Sequence, residues 1–253
     1  MSTKSFSGKV IAITGAARGI ARGAAVYLAE RGATLSLSDV AEQGLEELKD
    51  EIDSSFPGTK VLIQVVNVAD AKAVDHWIKK TVQELGGLHG AVNFAGVLHN
   101  TTANFVDIKD CDWNRVININ LTGTMYSMRS ELSVMNDGGS IVNASSVAAL
   151  RAGPGVVAYA ASKAGVISIT TSAAKEVGSR DIRVNALCPS GIDTPMVRQL
   201  AESGYTDEML LTPHAIKRFG KVEESAALIA FLLGDESKYI TGETIRIDGG
   251  MCA

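Results

Sequence analysis

Short apolar runs and longer helical periodicities alternate along the whole chain. KVIAIT (residues 9–14) is a short buried-strand run that stops at a glycine. Between Ile20 and Arg31 the apolar residues recur at helical spacing, as Ile20, Ala24 and Leu28 and as Ala21 and Ala25. TLSLSD (34–39) predicts a second strand, 41–52 an amphipathic helix with an acidic outer face, and VLIQVV (61–66) a third strand. A helix over 70–85 and a fourth strand with its turn, GAVNFAG (90–96), complete the first half. The second half keeps the rhythm. It reads as one long helix over 111–135, strand SIVNAS (140–145), a helix over 159–177, strand IRVNAL (182–187), a helix over 223–233 and a last strand, ETIRID (243–248).

Strands joined by helical crossovers run parallel. Strands apolar at nearly every position have both faces covered. The pattern therefore predicts an α/β fold with a doubly wound parallel sheet in a single domain, 1–253. Ligands of such sheets bind beyond the carboxyl ends of the strands.

Composition narrows the function. The chain has 253 residues, 46% of them hydrophobic and 21% charged, which excludes a disordered polypeptide. The net charge is −4 and no basic stripe is present, so no nucleic acid partner is expected. No uncharged apolar stretch is long enough for a membrane span, and the apolar run from Val10 to Ile13 is too short for a signal peptide. Cys111, Cys188 and Cys252 are odd in number and lack metal spacing, so they read as reduced thiols of a cytoplasmic protein. His76, His89, His99 and His214 show no paired metal spacing either, and no metal site is expected. Serine-elbow and phosphate-loop motifs are absent.

Two constellations carry chemistry. TGAARGIA (14–21) joins a strand to a helix, with Gly15 and Gly19 permitting close backbone approach and the helix N-terminus favouring an anion. Taken alone it also reads as an ordinary strand-to-helix turn. Asp39 closes the second strand 24 residues after Gly15, where a carboxylate accepts ribose hydroxyls and repels a 2′-phosphate. That favours NAD over NADP, while Arg18 pulls weakly the other way. Asp39 also reads as an N-cap of the next helix. The second constellation is Tyr159 and Lys163 in YAASK, at i and i+4 on one helix face. A phenol has a pKa near ~10, so ionising it at neutral pH costs ~4 kcal/mol. A neighbouring ammonium lowers that cost, and the tyrosine then serves as acid and base. Ser146, at the end of the SIVNASS strand, stands at the carboxyl edge, where its hydroxyl would hold a substrate oxygen or merely cap a turn.

These motifs, in this order, resemble the short-chain dehydrogenase/reductase family in its soluble ~250-residue branch. TGAARGIA is similar to the family's TGxxxGxG turn and NFAG (93–96) to its NNAG. NINLTG, SIVNASS, YAASKAG, RVNALCP and YITGETIRIDGG follow with family spacing, from Gly8 to Gly250. The resemblance implies a Rossmann fold and a catalytic tetrad of Asn120, Ser146, Tyr159 and Lys163. In it Tyr159 is the acid/base, Lys163 lowers its pKa and binds ribose, Ser146 orients the substrate oxygen, and Asn120 holds a water linked to Lys163. It implies NAD contacts at Gly15, Arg18, Gly19, Ile20, Asp39, Asn67, Val68, Asn93, Ala95, Gly96, Tyr159, Lys163, Pro189, Ile192 and Thr194. It implies a homotetramer, with the 111–135 and 159–177 helices between subunits, and a substrate lid at 195–219.

The chain departs from the family pattern at Ala21 (third glycine), Asn67 (usually aspartate), Phe94 and Ser190 (usually glycine). Met196, Leu200, Tyr205, Met209, Leu210 and Leu211 make the lid apolar, and Leu98, Val147, Leu150 and Val156 would complete an apolar pocket; the same residues also read as ordinary helix packing. Arg151, Arg198, His99 and His214 read as rim or solvated residues. The expected activity is interconversion of a secondary alcohol and a ketone on an apolar small molecule, with NAD as cofactor. Isomerisation or cyclisation of a natural product, and a non-catalytic NAD(H) sensor, are the alternative readings.

Overall fold

In the computed structural model, residues 5–98, 104–202 and 206–253 are described. Seven strands form one sheet: β1 (Val10–Thr14), β2 (Thr34–Asp39), β3 (Val61–Val65), β4 (Gly90–Asn93), β5 (Ser140–Ala144), β6 (Arg183–Pro189) and β7 (Thr244–Ile247). Their order is β3-β2-β1-β4-β5-β6-β7, and every pairing is parallel. The chain reverses direction across the sheet between β1 and β4, which opens a crevice at their carboxyl ends.

Nine α-helices connect the strands among the described residues: α1 (Gly19–Glu30), α2 (Glu42–Ser55), α3 (Ala71–Leu85), α4 (Asp110–Ile117), α5 (Gly123–Val134), α6 (Val157–Val177), α7 (Pro195–Glu202), α8 (Asp207–Leu211) and α9 (Val222–Leu233). Alternate strand residues feed two cores. Leu28, Leu35, Leu45, Leu48 and Ile229 gather on one face under α1, α2 and α9. Trp77, Ile78, Met128, Ile141 and Val184 gather on the other, under α3, α5 and α6. Ala21 is buried in the first of these cores, so its methyl is absorbed by packing.

The expected helix over 111–135 is not continuous. Asn118–Thr122 widens into a single π-helical turn between α4 and α5. Such a bulge inserts one extra residue and re-aims a side chain, and here it points Asn120 inward, 0% exposed. Thr124 Oγ1 donates to the Asn120 carbonyl at 2.7 Å, satisfying an acceptor that the wider turn disturbs. The segment 195–219 also holds more structure than its apolar pattern indicates, since α7 and α8 lie within it.

Candidate active site

The crevice is built by Thr14. Its hydroxyl oxygen accepts the backbone N–H groups of Phe94 and Ala95 at 3.1 and 3.2 Å, clamping the turn after β4 to the end of β1. Gly15 makes the clamp possible. It has φ +72°, and a Cβ there would lie 2.8 Å from the Ala95 backbone. The turn from Gly15 to Arg18 is tied to β2: Ala16 N donates to Ser38 O at 3.0 Å and Ala17 N to Asp39 Oδ2 at 3.1 Å. Asp39 Oδ1 accepts from Ala41 N at 3.0 Å. Asp39 is thus a brace between two loops. The N-cap of α2 is Ala41, not Asp39.

The N-terminus of α1 carries no side-chain cap and no acid in its first turn, and the exposed Arg18 is its N-cap residue. Uncapped N–H groups with a positive dipole end fit a pyrophosphate. Across the crevice, Thr194 approaches Gly19, where a Cβ would meet its Cγ2 at 3.6 Å. These groups fit a dinucleotide: a glycine cradle, an uncapped helix start and a carboxylate at the end of β2.

Lys163 is 4% exposed on α6. Its Nζ donates to the carbonyl of Ala144, the last residue of β5, at 2.8 Å. A Cβ on Gly96 would come within 3.4 Å of that amine and 3.3 Å of Asn120 Oδ1, so the bare backbone of Gly96 roofs both groups. Asn120 Oδ1 accepts Val97 N at 2.8 Å, and its Nδ2 donates to Val97 O at 3.0 Å and Ser162 Oγ at 3.1 Å. Ser162 Oγ donates to Tyr159 O at 2.7 Å, and Ser145 Oγ to Lys163 O at 2.9 Å. Two serines outside the expected tetrad therefore button α6 to the π-turn and to β5. Both stand inside the SS and YAASK motifs, so their position carried the only signal. The Ser146 hydroxyl accepts Ala148 N at 3.2 Å.

Electrostatics at this end follow burial. Burial raises the Tyr159 phenol above its ordinary range; the Ser146 hydrogen bond opposes this, and the Cys188 thiol adds to it. Burial lowers the Lys163 ammonium to about 8, against a smaller opposite pull from Cys188. The phenol is thus governed first by desolvation, rather than by the lysine as the i, i+4 spacing predicts.

Several expected cofactor positions offer something other than a side chain. Asn93 is 1% exposed and its amide turns down into the helix layer, so only its backbone faces the crevice. Val68 is buried, and a Cβ on Gly123 would press on its methyl. Asn67 is exposed, with Oδ1 accepting from Ala69 N at 3.0 Å. Ile192 is buried and bridges Gly220, while Thr194 Oγ1 donates to Ile192 O at 3.1 Å. Ala95, Gly96, Ile20 and Pro189 lie at the strand ends and helix start that border the crevice.

The loop after β6 needs no glycine at Ser190, since neither Ser190 nor Gly191 adopts a positive φ. Ser190 Oγ instead pairs with His214 Nε2 at 2.6 Å and lies 3.1 Å from Met251 Sδ. His214, expected at the rim or in solvent, is 4% exposed. Leu150 and Arg151 line a cleft of about 610 Å³ with Thr244, Arg246, Cys252 and Ala253, beside the C-terminal tail. Val147 is buried and Val156 and Leu98 half-buried, while Met196, Met209 and Arg198 are exposed. His99, Tyr205 and the Leu200 side chain lie outside the described residues. Among the described residues no helix is long and apolar enough to cross a membrane, and no cluster of His, Cys, Asp and Glu has metal-binding form.

Known proteins are similar to this chain in sequence and fold. The family described as enoyl-(acyl carrier protein) reductase matches residues 15–252. A short-chain dehydrogenase/reductase, aba4, of Botryotinia fuckeliana is 43% identical over 99% of both chains. A 3-oxoacyl-[acyl-carrier-protein] reductase, FabG, of Thermotoga maritima is 43% identical over 97% of this chain and 98% of its own. The crystal structure of a levodione reductase superposes with a TM-score of 0.91 at 34% identity, covering 97% of this chain and 98% of that one.

Proposed function

The chain belongs to the short-chain dehydrogenase/reductase family of oxidoreductases, and on that premise we propose that it is an NAD(H)-dependent carbonyl reductase and alcohol dehydrogenase acting on an apolar small molecule. The observation that carries this reading is the buried amine of Lys163, fixed on the Ala144 carbonyl at 2.8 Å and 5.7 Å from the centre of the Tyr159 ring. Bound in the crevice, the nicotinamide cofactor supplies or accepts the hydride. The protein's own groups move the proton. Burial keeps Tyr159 protonated at neutral pH, so its hydroxyl is a proton donor to a carbonyl oxygen held by Ser146. In the reverse direction the same oxygen takes the alcohol's proton. Lys163 lends positive charge from its fixed place on Ala144. Asn120 holds the Val97 backbone and the α6 serine that aligns Tyr159.

Asp39 selects NAD over NADP, because a 2′-phosphate would add charge beside a carboxylate already fixed by Ala17 and Ala41. Val147, Val156 and Leu98, with the lid at 195–219, favour an apolar substrate. The FabG and levodione reductase relatives are named for the reduction of oxo compounds, in keeping with a ketone here. Phe105, Val106 and Trp113 expose apolar surface at and before α4, as a homotetramer built on α4 to α6 requires. Three free cysteines agree with a cytoplasmic setting.

The test is a panel of apolar ketones, among them cyclic diones and 3-oxoacyl thioesters, offered with NADH and NADPH in parallel. Oxidation of NADH coupled to stoichiometric alcohol formation is expected. Product formation with no net change in NADH would replace this reading with isomerisation or cyclisation.

A further inference from the structure

Directly beneath the turn that ends in Gly96, a polar cluster is sealed between the sheet and the helices of its second face. Asn93, the last residue of β4, donates through Nδ2 to Glu131 Oε2 on α5 at 2.9 Å and to Asn143 Oδ1 on β5 at 3.0 Å. Asn143 donates in turn to Thr170 Oγ1 on α6 at 2.9 Å. Glu131 and Asn143 are 0% exposed. Two atoms of this cluster have no partner: Glu131 Oε1 and Asn93 Oδ1.

Written as a carboxylate and an amide, both orphans are acceptors, and a bare buried carboxylate oxygen is costly. Among the described residues no cation offsets it. Asp75 on α3 takes the Ser130 hydroxyl, and Lys80 pairs with Glu84. On α6, Lys163 donates to Ala144, while Lys175 and Glu176 face solvent. Arg129 is exposed over Tyr126, and Arg180 caps the end of α5 through Leu132 O and Met135 O and pairs with Asp137. One proton on Oε1 resolves both orphans. The acid would then donate to Asn93 Oδ1 while its Oε2 accepts from Asn93 Nδ2 at 2.9 Å, the cyclic pairing of a carboxylic acid with a primary amide.

We propose that Glu131 is held as a neutral carboxylic acid paired with Asn93, and that it is a positioning residue for the floor of the crevice. The cluster connects to the crevice through the backbone. Asn93 leads directly into Phe94, Ala95 and Gly96, the turn clamped by Thr14 and roofing Lys163. Asn143 leads directly into Ala144, whose carbonyl holds the Lys163 amine. Burial raises the Glu131 carboxyl to about 8, opposed by the Asn93 hydrogen bond, so it stays protonated at neutral pH.

Infrared spectra of the intact protein, with and without carboxyl-¹³C glutamate, test the protonation. At pH 7 a carbonyl band of a protonated acid is expected. It should shift with the label, be missing from Glu131→Gln, and fade on titration through about 8. Only carboxylate bands at pH 7 would overturn the proposal, and this readout on the wild-type protein needs no variant to fold. The second measurement is unfolding against pH. Folded Glu131 keeps its proton between 4.5 and about 8, where the unfolded chain has lost it. Wild-type stability should therefore fall relative to Glu131→Gln by about tenfold in the unfolding constant per pH unit across that window, and then level off. Parallel curves would overturn it.

The positioning role rests on the dinucleotide reading above, and its own readout separates the two. Glu131→Gln, which can form the analogous amide–amide pair, should keep NADH affinity within twofold or so, whereas Glu131→Leu should weaken it about tenfold or more with a smaller change in kcat. Equal affinity in all three proteins would refute positioning while leaving dinucleotide binding intact. No NADH binding by any of them, wild type included, would refute the dinucleotide reading and with it the positioning role.

Discussion

The Nζ of Lys163 lies 5.7 Å from the centre of the Tyr159 ring, and it is anchored to the backbone carbonyl of Ala144 at 2.8 Å. The pair sits on one face of α6, yet its protonation is set by burial, which pushes the two groups in opposite directions. A phenol that keeps its proton is suited to giving it away. Ketone reduction should therefore run near its maximum at neutral pH and decline above about 8, where Lys163 loses its charge. Alcohol oxidation, which needs the phenol deprotonated while Lys163 keeps its charge, should climb up to about 8 and then level off. Profiles of kcat/KM in both directions check this, and parallel profiles would refute it.

Replacing Tyr159 by Phe removes the proton-transferring oxygen and leaves the ring beside Lys163 in place. A fall in kcat of about 10²–10⁴-fold is expected, with NADH binding retained. Binding is read by fluorescence titration and turnover by NADH absorbance. A variant that retains most of its turnover would remove Tyr159 from the mechanism.

Asp39→Ala should do two things at once. It deletes the acceptor for Ala17 N and Ala41 N, at a cost of ~1 kcal/mol for each hydrogen bond, visible as a lower Tm. It also removes the charge that disfavours a 2′-phosphate, so the ratio of kcat/KM for NADH over NADPH should drop by about tenfold, ~1.4 kcal/mol. A wild-type enzyme that works better with NADPH contradicts the assigned role of Asp39.

Gly15 and Gly58 both have positive φ, but only Gly15 is crowded. Alanine at Gly58 meets nothing within 4 Å and should cost about 1 kcal/mol in backbone strain alone. Alanine at Gly15 adds a clash with the Ala95 backbone, and should lower stability further and abolish measurable dinucleotide affinity. Chemical unfolding of the two variants side by side isolates the clash. Equal losses would mean that the crevice wall yields.

Ser190→Gly restores the residue more usual in the family, yet it should destabilise this protein. His214 would lose the hydroxyl bound to its Nε2 while remaining buried, with Nδ1 already unpartnered, a cost of ~1–3 kcal/mol. Thermal unfolding decides it; an unchanged or higher Tm would refute the pairing.

Much of this molecule is legible from local pattern. Continuous apolar runs mark the strands because both sheet faces are covered, and the crossovers force a parallel order. Gly15 is legible because a strand-to-helix turn at a crevice needs a residue without a side chain. The Tyr159–Lys163 pairing is legible because four residues along a helix return to the same face. Strand ends moved by a residue or two: β6 runs on to Pro189, and β4 stops at Asn93.

The rest depends on neighbours distant in sequence. The composition of residues 111–135 suits a continuous helix; the π-turn at Asn118–Thr122 exists where Asn120 reaches Val97 and Ser162. Asn93 alternates with its strand neighbours like any sheet residue, but which face meets Glu131 and Asn143 was settled by helix packing. His214 looks like a surface histidine until the chain brings it to Ser190. Periodicity encodes which way a side chain faces along its own element. What it meets there, how dry that place is, and hence which groups hold their protons follow only when separate elements close over one another and exclude water.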